Sequence, residues 1–121
     1  MVAQREPQEQ LTDDEVDRVF RALADATRRD ILRRTVVEEQ SVSALAADYD
    51  MSFAAVQKHV AVLEAARLIV KRAEGRERLV RADPDTIARA RVLLERYQQL
   101  WRDRIDRIDA LLAEDAGPPA S

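Results

Sequence analysis

Met51-Ser52-Phe53-Ala54-Ala55-Val56-Gln57-Lys58-His59-Val60-Ala61-Val62-Leu63-Glu64 is the stretch whose reading decides the rest of this chain. Ser52 is a good helix N-cap, because its hydroxyl can accept a hydrogen bond from an unpaired amide of the first turn. Phe53, Val56, Val60 and Leu63 recur at helical spacing and form one apolar stripe. The opposite side carries Ala54, Ala55, Gln57, Lys58 and Ala61, which are small, polar or basic. Such a face can lie close against another surface. Gln and Lys can read base edges or phosphate, and Ala can contact a thymine methyl. An ordinary amphipathic helix with a solvated face is the alternative. The flanking sequence favours the second helix of a helix-turn-helix.

Upstream, Thr12-Asp13-Asp14-Glu15 is a capping-box pattern, and Val16, Val19, Phe20 and Leu23 follow at helical spacing. That predicts a helix over about 13–24. Asp25 can cap a second helix with Ile31, Leu32 and Val36 inward. Its pairs Arg28-Arg29 and Arg33-Arg34 are expected largely outward, solvated, paired with nearby acids, or touching DNA backbone. Glu38-Glu39-Gln40 reads as a loop. Ser43 is expected to cap a short helix through about Tyr49, with Leu45 and Ala46 inward and Asp50-Met51 as the turn before Ser52.

Downstream, Leu68-Ile69-Val70 changes the period from helix to strand. Ala73-Glu74-Gly75-Arg76 supplies a turn, with Gly75 available for positive φ, and Leu79-Val80 lies in a return strand. The hairpin, about 69–82, carries Lys71, Arg72, Arg76, Arg78 and Arg81. Basic residues on a two-stranded arm beside the helix suit phosphate or minor-groove contact, although Lys and Arg also serve to blunt exposed strand edges. Asp83-Pro84-Asp85 is a strong helix start. The last helix is expected to run to about Ala113, roughly 29 residues and ~43 Å. Ile87, Leu94, Trp101 and Ile108 fall seven apart, with Ala90, Tyr97 and Leu111 in a second register that Arg104 breaks. That stripe is what a helix packing on a partner helix shows, and it exceeds what so small a core needs, with packing inside the chain as the alternative.

Charge supports the same division. The net charge is −3, which alone argues against nucleic acid. Residues 1–50 carry seven basic and twelve acidic side chains, residues 51–81 seven and three, and residues 82–121 six and eight. The one basic segment is thus the proposed recognition helix with its hairpin. Hydrophobic residues make up 46% of the chain and charged ones 36%, which fits a helix-rich, soluble protein. There is no Cys, so disulfides and thiolate metal sites are excluded. No leader pattern or membrane-length apolar run is seen, and a cytoplasmic protein is expected. With one His, no Gly-rich phosphate loop and no paired carboxylates in an apolar setting, nothing points to an enzyme.

The pieces in this order resemble the ArsR family of winged helix-turn-helix repressors. The likeness rests on Ala22-Leu23-Ala24-Asp25-Ala26-Thr27-Arg28-Arg29-Asp30-Ile31-Leu32, Ser43-Ala44-Leu45-Ala46, Met51 through Val60, Val62-Leu63-Glu64-Ala65 and Glu74-Gly75-Arg76. Leu100-Trp101-Arg102-Asp103-Arg104-Ile105-Asp106-Arg107-Ile108 is similar, more loosely, to the terminal helix of a non-metal branch related to autorepressors. The resemblance implies a mainly α fold with a small β-hairpin, a winged helix-turn-helix followed by a long C-terminal dimerisation helix. It implies a homodimer on the double-stranded DNA of a palindromic operator. Ser52, Ala54, Ala55, Gln57 and Lys58 would face DNA from the helix, and Arg76 from the wing. The basic hairpin itself adds Arg72 and Arg78 as expected wing contacts. His59 is counted with them, with a packing or capping role open beside that. Dimerisation would fall to Ile87, Leu94, Tyr97, Trp101 and Ile108. The expected division is a disordered tail over 1–10, a DNA-binding domain over 11–82, the dimerisation helix over 83–113 and a second disordered tail over 114–121.

Three departures qualify the likeness. The family's metal sites need Cys, or His with carboxylates, so no metal and no cofactor is expected here. Asp50 stands where the family commonly has Gly. Arg67 replaces the usual Gly after the recognition helix, so that turn either carries strain or avoids positive φ. A small-molecule-sensing repressor and a winged-helix module that binds only protein are the alternatives. No effector is legible.

Overall fold

The computed structural model describes residues 10–116. The elements are α1 (Asp13–Leu23), α2 (Ala26–Val37), β1 (Gln40–Ser41), α3 (Val42–Ala47), α4 (Phe53–Ala65), β2 (Ile69–Glu74), β3 (Glu77–Ala82) and α5 (Pro84–Ala116). The expected tails lie almost wholly outside the described residues, except that α5 continues through Ala116, past the expected end at Ala113.

Local chemistry sets the helix starts. The Thr12 amide donates to Glu15 Oε1 at 2.8 Å and the Glu15 amide to Thr12 Oγ1 at 3.2 Å, which completes the capping box. The Thr12 amide thereby holds the Glu15 carboxyl below its ordinary range. Asp25 accepts from the Arg28 amide at 3.0 Å to start α2, and Ser52 from the Ala55 amide at 3.1 Å to start α4. The cap of α3 is Ser41, which accepts from the Ala44 amide at 3.0 Å, and not Ser43. Starting there lets Val42 as well as Leu45 enter the core.

Two inward assignments shift. Thr35 is buried in α2 where Val36 is expected, and Val36 is 58% exposed. The Thr35 hydroxyl bonds the Ile31 and Leu32 carbonyls, each at 3.0 Å, so it enters the core with no polar group unpaired. Phe53 leaves the expected apolar stripe and is 47% exposed, so Val56, Val60 and Leu63 alone seat α4.

The arginines of α2 are less free than expected. Arg28 Nε donates to the Ala22 carbonyl at 2.8 Å and Nη2 to the Arg21 carbonyl at 2.9 Å. Arg29 reaches the Leu23 carbonyl at 2.7 Å. Together they satisfy the open C-terminal end of α1. Arg34 pairs with Asp48 at 2.7 Å and lies over the Tyr49 ring, while the Tyr49 hydroxyl donates to Asp30 Oδ2 at 2.5 Å. That hydroxyl, with Arg33, draws the Asp30 carboxyl below its ordinary range. These bonds tie α3 and its following turn to α2.

The sheet has three strands in the order β1-β3-β2, both pairings antiparallel. Gln40, expected in a loop, instead pairs with Val80, and Ser41 with Leu79. Two residues are too few to show strand alternation in sequence. The β2–β3 hairpin closes at Glu74↔Glu77 with Gly75 at φ 61. The core of Val19, Ala22, Ile31, Val42, Leu45, Val56, Val60, Leu63, Ala66, Leu68, Ile69 and Val80 joins every element through β3 except the short β1.

Arg67 resolves the question its sequence raises, because its φ is 62. The Arg67 amide donates to the Glu64 carbonyl at 2.9 Å and the Leu68 amide to the Leu63 carbonyl at 3.0 Å. This is a Schellman closure, and its customary apolar contact is supplied by buried Leu63 and Leu68. A side chain in the left-handed region is strained, so Arg67→Gly is expected to raise stability by about 1 kcal/mol. A higher urea midpoint with unchanged slope would show it, and an unchanged or lower midpoint would count against the strain. Asp50 needs no such conformation, since Arg67 is the one non-glycine residue with positive φ among those described.

Candidate nucleic-acid interface

The recognition face is built by what α4 buries. With Val56, Val60 and Leu63 locked into the core, Ser52, Ala54, Gln57, Lys58 and Ala61 are left exposed and Ala55 half-buried. Ala54 and Ala61 keep the middle of this face low, while Phe53 stands exposed at its N-terminal end. The wing stands beside this face. One open groove is lined by Ser43 of α3, Phe53 and Gln57 of α4, and Lys71, Arg76, Glu77 and Arg78 of the hairpin, with Val42 and Val60 beside them. The fold thus brings Gln57 and the wing arginines, some twenty residues apart in sequence, to one surface.

The cations there are not equivalent. Among the described residues Lys58, Arg76 and Arg78 are exposed and form no ion pair. Lys71 lies 3.5 Å from Glu64. Arg72 is held by Glu39, with Nε at 3.0 Å and Nη2 at 2.8 Å, and by Glu74 at 2.9 Å. The same contact holds the Glu39 carboxyl below its ordinary range. Arg72 therefore braces the wing against the α2–β1 connection rather than offering a free charge. The acid at Glu39, read from sequence as loop, decides this.

His59 is turned away from the open face. Its Nδ1 lies 3.4 Å from Arg28 Nη1 and 4.0 Å from Asp25 Oδ1, and its side chain is 21% exposed. The contact links the recognition helix to the α1–α2 junction, which matches the packing role left open for it. Hydrophobicity assigns Phe53 to the core, and the structure places it at the groove instead. Its spacing carries the contrary signal, since Phe53 sits one helical turn before exposed Gln57.

Along α5, Ile87, expected at the dimer face, instead packs with Ala90 on the core of its own chain, because the first turns of the helix still lie over the domain. Beyond them Leu94, Tyr97, Trp101 and Ile108 are exposed, together with Leu100, Ile105, Leu111 and Leu112. At 33 residues the helix is about 50 Å long, so its distal half stands clear of the domain. No helix among the described residues is long and apolar enough to cross a membrane, and none of their His, Asp and Glu form a group of three that could hold a metal.

Comparison with known proteins agrees with this geometry. A helix-turn-helix domain family matches residues 23–72. The chain is 41% identical over 81 residues to the HTH-type transcriptional regulator Rv2034 of Mycobacterium tuberculosis, which covers 67% of this chain and 76% of that protein. An ArsR-like transcriptional regulator from Rhodococcus sp. RHA1 superposes with a TM-score of 0.73 at 34% identity, over 81% of this chain and 92% of the other. A crystal structure of an ArsR family transcriptional regulator gives 0.72 at 30% identity, over 77% and 96%. The chain belongs to the ArsR family of transcriptional regulators. As an ArsR-family member it is a DNA-binding regulator, with α3 and α4 as its helix-turn-helix and the β2–β3 hairpin as its wing.

Proposed function

We propose that this ArsR-family regulator is a homodimeric repressor that reads a palindromic operator, the one upstream of its own gene being the first expected. The observation that carries the reading is the groove that unites Gln57 on the small-residue face of α4 with the unpaired Arg76 and Arg78 of the wing. Gln57 can pair bidentately with adenine in the major groove. Ser52, Ala54, Ala55 and Lys58 complete the helix face. Arg76 and Arg78 meet phosphate or the minor-groove edge, where contacts position the protein without specifying sequence. The exposed apolar side of α5 supports a dimer, and two-fold symmetry then sets two half-sites about one helical turn of DNA apart. Footprinting on the DNA upstream of the gene tests the operator.

Two variants separate reader from anchor. Gln57→Ala is expected to cost about 1–3 kcal/mol at the operator and to relax preference at one base pair per half-site. Arg76→Ala is expected to weaken operator and random DNA alike and to reduce the log affinity–log salt slope by roughly one unit. Titrations of both DNAs across a salt series give both quantities. The reverse pattern would exchange the two roles, and indifference to both substitutions would move the interface away from α4 and the wing.

A further inference from the structure

Phe53 is a large aromatic side chain left 47% exposed at the groove that α4 shares with the basic wing. It is the first residue of α4 after the Ser52 cap, in the turn that a recognition helix pushes deepest toward base edges. Around the same groove lie polar Ser43 and Gln57, the cations Lys71, Arg76 and Arg78 with the Glu77 carboxylate among them, and apolar Val42 and Val60. No polar atom of its own explains its presence there, and in the free chain its ring faces water. The buried Val56, Val60 and Leu63 already seat the helix, so Phe53 is not needed to anchor it. Phe53 and Gln57 lie one turn apart on the wing-side edge of α4, while Ala54, Lys58 and Ala61 form the adjacent row. A helix laid in the major groove with Gln57 at a base edge therefore carries Phe53 to an edge of the same groove.

The apolar group that the major groove offers is the 5-methyl of thymine, and Phe is among the side chains suited to contact it. We propose that Phe53 is a specificity-determining residue that selects a thymine in each half-site through its 5-methyl group. This rests on the DNA-binding reading above and adds to it a base that no hydrogen bond would report.

Uracil presents the same donors and acceptors as thymine but lacks the methyl, so deoxyuridine isolates the contact. Duplexes selected from a random pool by the full chain would be remade with deoxyuridine at each thymine in turn. Their affinities would be measured with the native protein, Phe53→Ala and Phe53→Gln. At one thymine per half-site the native chain is expected to lose about fourfold in affinity, the worth of one buried methyl-sized group. Both variants should bind the thymine and deoxyuridine duplexes equally. Two variants are used because Gln, a good helix former, suits an exposed position should Ala impair folding. A native chain indifferent to deoxyuridine at every thymine would overturn the inference, as would variants that keep the native discrimination. A chain that selects no duplex over random DNA would overturn the DNA-binding reading itself, and this inference with it.

Discussion

Trp101→Glu combined with Ile108→Glu is expected to leave the winged domain folded, dissociate the proposed dimer and weaken operator binding by on the order of a hundredfold or more. Both side chains are exposed in the single chain, at 58% and 41%, so charge there costs the protomer little. In a paired helix the same glutamates would be buried without partners, which is strongly unfavourable. The loss at the operator follows because a dimer places its second recognition helix at high effective concentration once the first has bound. Sedimentation velocity on the double variant, with circular dichroism as the folding control, checks the first claim, and operator titration the second. A double variant that still sedimented as a dimer would place the interface elsewhere, with half-exposed Phe20 of α1 as the next surface to test. The apolar side is also wider than the seven-residue register shows. At 3.6 residues per turn Ile105 and Leu112 fall on the side that carries Leu94, Trp101 and Ile108, and both are exposed.

Leu63→Ala is expected to cost about 2–5 kcal/mol of stability, a large part of the roughly 5–15 kcal/mol typical of a folded domain. Leu63 is fully buried, and it lies where α4, the left-handed turn at Arg67 and the start of β2 meet. Its carbonyl also accepts the bond that closes that turn. Truncation removes the apolar atoms shared by the recognition helix and the wing, and the neighbours can collapse only partly into the space. Urea unfolding at matched protein concentration should show a lower midpoint with the same slope. Operator binding should fail at temperatures the native chain tolerates. A shift below 1 kcal/mol would mean that the site relaxes freely and that α4 is held by other contacts.

Much of the fold is legible in the sequence because the signals are local. A cap needs only a hydroxyl or carboxylate three residues before the amide it binds, so Thr12, Asp25 and Ser52 mark their helices unaided. Apolar spacing identifies Val56, Val60 and Leu63 as the seat of α4, and by exclusion leaves Gln57 and Lys58 on the open side. The change of period at Leu68 and the glycine at 75 mark the wing in the same way. The family resemblance follows from this order of pieces.

Tertiary structure decided what depends on partners distant in sequence. Ser41 rather than Ser43 caps α3 because Val42 has a core to enter. Thr35 displaces Val36 because its hydroxyl finds carbonyls one turn back, a satisfaction that hydrophobicity alone does not register. Gln40 and Ser41 become a strand only because β3 runs beside them. Arg72 looks like Arg78 in sequence, yet the Glu39 carboxylate, 33 residues away, neutralises it, while Arg78 stays unpaired. Arg67 accepts a left-handed backbone because burying Leu63 and Leu68 on either side of the turn outweighs its local cost. Phe53 is apolar by composition but lies at a groove by position, since which face of a helix is buried is settled by the elements packed against it.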